Sequence, residues 1–182
     1  MILDALLAFD TAYTMVAGTT GTVGAHVSTN IIDLGVTSGI PSSASGGGAR
    51  DIGIGDSPAM KLLVLVTATI TSGGAGTLAV ALQGAVDNGA GAPAAFSTWW
   101  TSPTYALATL NAGSRLYDMD MPRPPDGIAI PRYLQMQYTI GTAALTGGTL
   151  QSYIVLDRSD LPYQGTDNSI LGGYPAGVVI AN

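Results

Sequence analysis

His26 is the only histidine in the sequence, within Gly24-Ala25-His26-Val27-Ser28. A Ser–His–Asp hydrolase would use it as the general base, with its serine on a Gly-x-Ser-x-Gly elbow. The sequence has no such elbow, so the plainer reading is an exposed or locally bonded loop histidine. One histidine and no cysteine serve zinc poorly. The pair Asp118 and Asp120 is the next candidate. On a strand both carboxylates would project from one face about 7 Å apart, a spacing suited to a divalent cation or an acid/base pair. The plainer reading is the solvent face of an edge strand, with Tyr117, Met119 and Met121 packing inward. Asp87-Asn88-Gly89 lacks the acidic ladder and closing glutamate of a calcium loop and reads as a turn. Trp99-Trp100 would suit a sugar platform only if both rings shared a face. Adjacent strand residues point opposite ways, so one ring is expected in the core and the other at an edge or interface. The Gly18/Gly21/Gly24 and Gly53/Gly55 spacings match no phosphate-cradling motif.

The elements that would position these residues have a period of two. In 62–71 the even positions Leu62, Val64, Val66, Ala68 and Ile70 are apolar, while Thr67, Thr69 and Thr71 are odd. The segment 77–86 repeats the pattern with Leu78, Val80, Leu82 and Val86. Ser72-Gly73-Gly74-Ala75-Gly76 between them predicts a hairpin. A second hairpin is predicted from 133–140, with Leu134, Met136, Tyr138 and Ile140 on one face, returning through 150–157. The two return strands open alike, on Gly-Ala-Gly-Thr-Leu and Gly-Gly-Thr-Leu. Duplication of a unit and convergent turn chemistry explain that equally well. Shorter strands are predicted at 30–34, 52–54, 96–100, 105–110 and 115–121. Together they predict an all-β sandwich or barrel, with an antiparallel two-sheet sandwich favoured. The segment 39–48 reads as a mobile Ser/Gly-rich loop, and 1–9 as a helical turn or an extended arm. The tail from 159 onward mixes Gly and Pro with apolar residues. It cannot build a core of its own, and it predicts an arm lying on a neighbouring surface.

Composition narrows the function classes. Among 182 residues there are only 6 basic and 12 acidic side chains, with 47 % hydrophobic residues and a net charge of −6. A folded chain of this mass exposes roughly 8,000 Å², so each charge has about 450 Å² of surface, against roughly 180 Å² for ordinary composition. The acidic balance argues against nucleic acid and anionic membrane surfaces. The absence of cysteine rules out a disulfide framework. The apolar start carries Asp4 and lacks a basic region, so it does not read as a signal peptide. No run reaches the roughly 18 apolar residues of a membrane span. A soluble product of cytoplasmic synthesis is expected, with no enzymatic activity and no cofactor.

Four pieces together carry a family resemblance. They are Ser28-Thr29-Asn30-Ile31-Ile32-Asp33-Leu34-Gly35, Arg50-Asp51-Ile52-Gly53-Ile54-Gly55 and Thr77-Leu78-Ala79-Val80-Ala81-Leu82-Gln83. The last runs from Pro131-Arg132-Tyr133-Leu134 through Tyr138 and Gly147-Gly148-Thr149-Leu150 to Val155-Leu156-Asp157. In that order, over about residues 1–158, the chain resembles the capsid cement (decoration) proteins of short-tailed phages of the Bordetella phage type. The resemblance implies a β jelly-roll, spanning 1–158 with an N-terminal arm at 1–9, followed by a C-terminal arm at 159–182. It implies a virion protein on the outer surface of an HK97-type capsid, bridging major capsid protein subunits and carrying no active site. Symmetric oligomers are implied, with a homodimer expected and a homotrimer of the lambda type as the near alternative. Expected contact residues are Ile2, Leu3, Leu6, Leu7 and Phe9 in the first arm, and Leu161, Tyr163, Ile170, Leu171 and Tyr174 in the second. Arg50 and Asp51 are expected to pair within the fold. The competing readings are a carbohydrate-binding or tail-associated adhesion module and an aspartate-based hydrolase.

Overall fold

In the computed structural model the described residues are 7–35, 60–122, 126–127 and 131–155. They form β1 (Ala8–Thr14), β2 (Gly24–Val27), β3 (Ile32–Asp33), β4 (Lys61–Ser72), β5 (Thr77–Ala85), β6 (Ser97–Thr101), β7 (Tyr105–Ala106), β8 (Arg115–Asp120), β9 (Tyr133–Gly141) and β10 (Leu145–Val155). One sheet has the order β1-β10-β4-β8; the other runs β2-β9-β5-β6, with β3 on β9 and β7 on β5. Every pairing is antiparallel. The principal strands alternate between sheets along the chain, with β5 and β6 as the one consecutive pair within a sheet. That order is a jelly-roll, the sandwich type expected.

The two predicted hairpins are absent, for a topological reason. β4 and β5 lie in different sheets, as do β9 and β10. Each connection, Gly73–Gly76 and Thr142–Ala144, is therefore an arch that carries the chain from one layer to the other. The two arched units pair with each other instead, β4 with β10 and β5 with β9. Where the arches meet, Ser72 Oγ donates to the Ala144 carbonyl at 2.6 Å. A Cβ on Gly76 would stand 2.8 Å from both Leu145 Cδ2 and Ser72 Oγ, so a side chain at that crossing would have to displace both.

The core lies between the layers. Leu62, Val64 and Val66 of β4, Leu78, Val80 and Leu82 of β5, and Leu134, Met136, Tyr138 and Ile140 of β9 are all essentially inaccessible. The period of two placed these correctly, because alternate residues share a face. It failed at strand ends and irregularities. Ala68 is exposed where the β4–β10 register shifts, and Val86 lies just past β5 and is 39 % exposed. Strand 105–110 shortens to β7, followed by a 3₁₀ turn at Leu107–Thr109. β10 begins at Leu145, earlier than the expected 150.

Phe9 requires a correction. It lies in β1, fully buried in the core, so its ring is not free for a partner. Leu7 is partly buried against the same core. Ile2, Leu3, Leu6, Leu161, Tyr163, Ile170, Leu171 and Tyr174 lie outside the described residues, as do Arg50, Asp51, the 39–48 loop and the 52–54 strand.

The registers also give the sandwich two unlike ends. At one end, β4 turns into β5, β9 turns into β10, and β1 leads to β2. At the other lie Ala8, Asp33, Lys61, Asp120, Tyr133 and Val155. The stretches 1–6, 36–59, 123–130 and 156–182 all adjoin strands at this second end.

Candidate functional site

The residues flagged for chemistry are each engaged in local structure. His26 sits on edge strand β2, opposite Tyr138 on β9. Its Nε2 lies 2.8 Å from the Thr22 carbonyl oxygen, a contact that makes Nε2 the protonated nitrogen. Asp118 and Asp120 occupy edge strand β8 and share a face, paired in register with Leu63 and Lys61. Arg115 Nη1 donates to Asp118 Oδ2 at 2.8 Å, and Lys61 Nζ stands 3.5 Å from Asp120 Oδ1. Each carboxylate thus has its own cation, as a charged sheet edge would arrange it. Met119, though paired in register with buried Leu62 at the end of this edge strand, is 63 % exposed instead of packing inward, while Leu116 beside the register shift at Val64/Leu65 is buried.

The tryptophans do not form a platform. A register shift between Leu82 and Gln83 lies opposite Trp99 and breaks the alternation that would have separated the rings. Trp99 is buried over Gly84, and its Nε1 has no acceptor among the described residues. Trp100 packs at the margin of the same core, its ring centroid 4.0 Å from that of Tyr117 on the opposite sheet.

Two polar clusters that sequence reasoning missed hold the scaffold together. The first is buried. Asp10 of β1, 2 % exposed, points between the sheets. Its Oδ2 accepts from Tyr138 Oη at 2.6 Å and from Ser152 Oγ at 3.4 Å, and its Oδ1 accepts from the Thr29 amide at 2.8 Å. Ser28 accepts from the Met136 amide and donates to the Asn30 carbonyl, while the Asn30 amide donates to the Phe9 carbonyl. Ser28-Thr29-Asn30 thereby ties β1 of one sheet to β9 of the other. Burial, then the nearby Asp10 charge, push the Tyr138 hydroxyl well above its ordinary pKa.

The second cluster stands at the end of the sandwich where β3 and β9 begin to pair. Arg132 grips Asp33 in a two-pronged ion pair, Nε to Oδ1 at 2.9 Å and Nη2 to Oδ2 at 3.0 Å. Its Nη1 donates to Asp87 Oδ2, which also accepts from Tyr133 Oη at 3.2 Å. Asp87 is the turn residue expected: its Oδ1 accepts from the Gly89 and Gly91 amides. The Gly89 amide is the largest cause holding the Asp87 carboxyl below its ordinary pKa, with Gly91, Tyr133 and Arg132 adding to it against desolvation.

The described surface has a large uncharged face. The outward face of the second sheet carries Ala25, Thr139 and Ala79 in one row and Val27, Gln137, Ala81 and Thr101 in the next. These rows are uncharged, which locates much of the charge deficit seen in the composition. Val23, Val27 and Ile31, around edge strand β2, are each about half exposed. Among the described residues no helix is long and apolar enough to cross a membrane, and no group of three acidic, histidine or cysteine side chains converges.

No curated protein matches the chain. The family described as Bbp16 matches residues 16–154, well over half of the sequence and nearly the whole of the described sandwich. On that match, the chain belongs to the Bbp16 family.

Proposed function

We infer that this protein is a capsid cement protein, a structural virion component that binds the outer surface of an HK97-type shell and bridges major capsid protein subunits. Membership of the Bbp16 family supports a phage structural role, together with the motif resemblance to cement proteins of Bordetella-type phages. The observation that carries the finer reading is the one-ended build of the sandwich. The jelly-roll has an uncharged outward face on its second sheet, and the strand ends that adjoin residues 1–6, 36–59, 123–130 and 156–182 all lie at a single end. Among those stretches are the apolar residues Ile2, Leu3 and Leu6 and the tail residues Leu161, Tyr163, Ile170, Leu171 and Tyr174. Such segments can lie across subunit boundaries while the sandwich stands clear, and many weak contacts over a closed lattice add up by avidity.

Binding is tested by co-sedimenting the purified full chain with capsids that lack it. Saturable binding is expected, and it should weaken when Ile170, Leu171 and Tyr174 are each replaced by Asp. Failure to bind bare capsids would remove the reading; full occupancy by the substituted protein would remove the role of the tail. Light scattering of the free protein should give the mass of a dimer, whereas a trimer would point to the lambda-type arrangement.

A further inference from the structure

Four described strands end the two sheet orders: β1 and β8 in the first sheet, β2 and β6 in the second. An open strand edge invites a further strand, and three of these four are blunted against it. β1 shifts register twice against β10, and its Ala8 and Phe9 carbonyls accept from Asn30 Nδ2 and the Asn30 amide. β8 carries Arg115, Asp118 and Asp120. β6 faces a register shift opposite Trp99. β2 has neither device. Its four residues pair with β9 in unbroken register, and Gly24-Ala25-His26-Val27 contains no aspartate, lysine or arginine. The Ser28 amide donates to the Met136 carbonyl, so even-numbered residues here turn their backbone groups toward β9. Ala25 and Val27 therefore turn theirs to the side where no described strand lies. Ala25 is exposed, and Val23 and Val27 are 58 and 50 % exposed in the single chain.

We propose that β2 is the surface through which two copies of this chain pair, edge to edge and antiparallel, about a twofold axis at Ala25. The strand suits a copy of itself. Val23 and Val27 stand equally far from Ala25, so the reversed strand meets each valine with the other. In the same register His26 lies opposite a glycine, Gly24, which leaves room for its ring. A chain of net charge −6 repels its own copies, and here they approach where neither carries an aspartate. Pairing at β2 joins two second sheets into one and continues the uncharged rows of Ala25 and Val27 from copy to copy. The contact is isologous and closed, so it makes a dimer and stops there. It rests on the homodimer reading, to which it gives a surface, and it is read on the free protein apart from capsid binding.

Light scattering of the free full chain, compared across variants, tests the edge. The unaltered protein should have the mass of a dimer. Ala25→Pro removes an amide on the free side and spares the ladder to β9, so it should halve that mass. Val27→Lys should do the same by placing a charge on the edge, and serves as the second variant where Ala25→Pro disturbs β2. Hydrogen exchange at β5 and β9 should match that of the unaltered protein in both. Because the chain has no cysteine, Ala25→Cys gives one thiol per copy, which a short bis-maleimide should link into a covalent dimer. Thr71→Cys, exposed on the first sheet, should not link. A monomeric or trimeric unaltered protein overturns the proposal, as does a dimer that survives both substitutions or fails to link at position 25. A monomer whose capsid co-sedimentation is weakened by Ala25→Pro also overturns it, and gives the edge to a strand of the capsid protein. Loss of the edge dimer with capsid binding intact leaves the capsid reading standing, and a dimer that binds no capsid leaves the edge standing.

Discussion

Tyr138 donates its hydroxyl to Asp10 across the gap between the two sheets, at 2.6 Å, where both residues are buried. The carboxylate is satisfied there by two hydroxyls and the Thr29 amide. Removing one donor leaves a buried charge short of a partner, which costs more than the bond gained on folding. Tyr138→Phe should therefore destabilise the sandwich by about 1.5–3 kcal/mol in urea unfolding. Ser152→Ala should cost less, because its own contact to the carboxylate is the longer one at 3.4 Å.

The same relationship sets the alkaline limit. Burial first, then the Asp10 charge, raise the Tyr138 pKa well above its ordinary value of 10.0, and Tyr13 and Tyr153 shift upward for the same reasons. A group whose pKa is raised by folding holds its proton more tightly in the native state. Its stabilisation is complete below the unfolded pKa and is lost as pH climbs through the folded value. Stability should stay level on this account up to about pH 10 and then fall. Phenolate absorbance should show part of the tyrosine population titrating only with unfolding, and Tyr138→Phe should flatten that limb.

At the acid end the sign reverses for Asp87, whose carboxyl is held below its ordinary value, chiefly by the Gly89 amide. Its contribution is present above the unfolded pKa of about 3.8 and disappears as pH falls through the depressed one. Asp87→Asn should make local stability at the 87–93 turn less sensitive to acid. Arg132→Lys should loosen both the turn and β3, because an ammonium cannot reproduce the planar fork that grips Asp33. Amide exchange at Leu34 and Gly89 is the readout.

Gly84 leaves no room beneath Trp99. A Cβ there would lie 2.7 Å from Trp99 Nε1 and closer still to the ring carbons. Gly84→Ala should cost about 1–3 kcal/mol by overpacking and shift the tryptophan emission. In a double-mutant cycle, Trp99→Leu should relieve much of that penalty, since both substitutions act on one contact.

Phe9→Ala should cost about 3–5 kcal/mol, the loss of a ring from the core. Capsid binding by the protein that remains folded should be unchanged, since the ring faces inward. Weakened binding with full stability would contradict its place in β1.

What the sequence made legible was faces, not neighbours. A period of two says which side chains point inward, and Leu62, Leu78 and Met136 all followed it. It does not say which strand lies alongside. The 72–76 connection has the glycine content of a hairpin turn, and the same backbone freedom serves an arch between layers, while the glycines at 147 and 148 belong to β10 itself. Asp10 left no signal either: a lone aspartate between Phe9 and Thr11 reads as solvent-facing until Tyr138, far along the chain, is seen to meet it. Arg132 stood in a motif noted for resemblance, yet its partners Asp33 and Asp87 come from distant places, strand β3 and the turn after β5. The Ser28-Thr29-Asn30 piece gained a physical role only once β1 and β9 were placed on either side of it. The expected contact residues were picked by apolar composition at the termini, which cannot separate Phe9, a core ring, from residues available to a partner.

The paired arches have a practical consequence for engineering. They close one pole of the sandwich with turns braced against each other, as in the Ser72–Ala144 bond, and the chain's long stretches depart from the opposite pole. Gly73 itself has open space around its Cα position. A foreign peptide spliced beside it would project from the pole opposite Ala8, Lys61 and Val155, making this turn a natural display position.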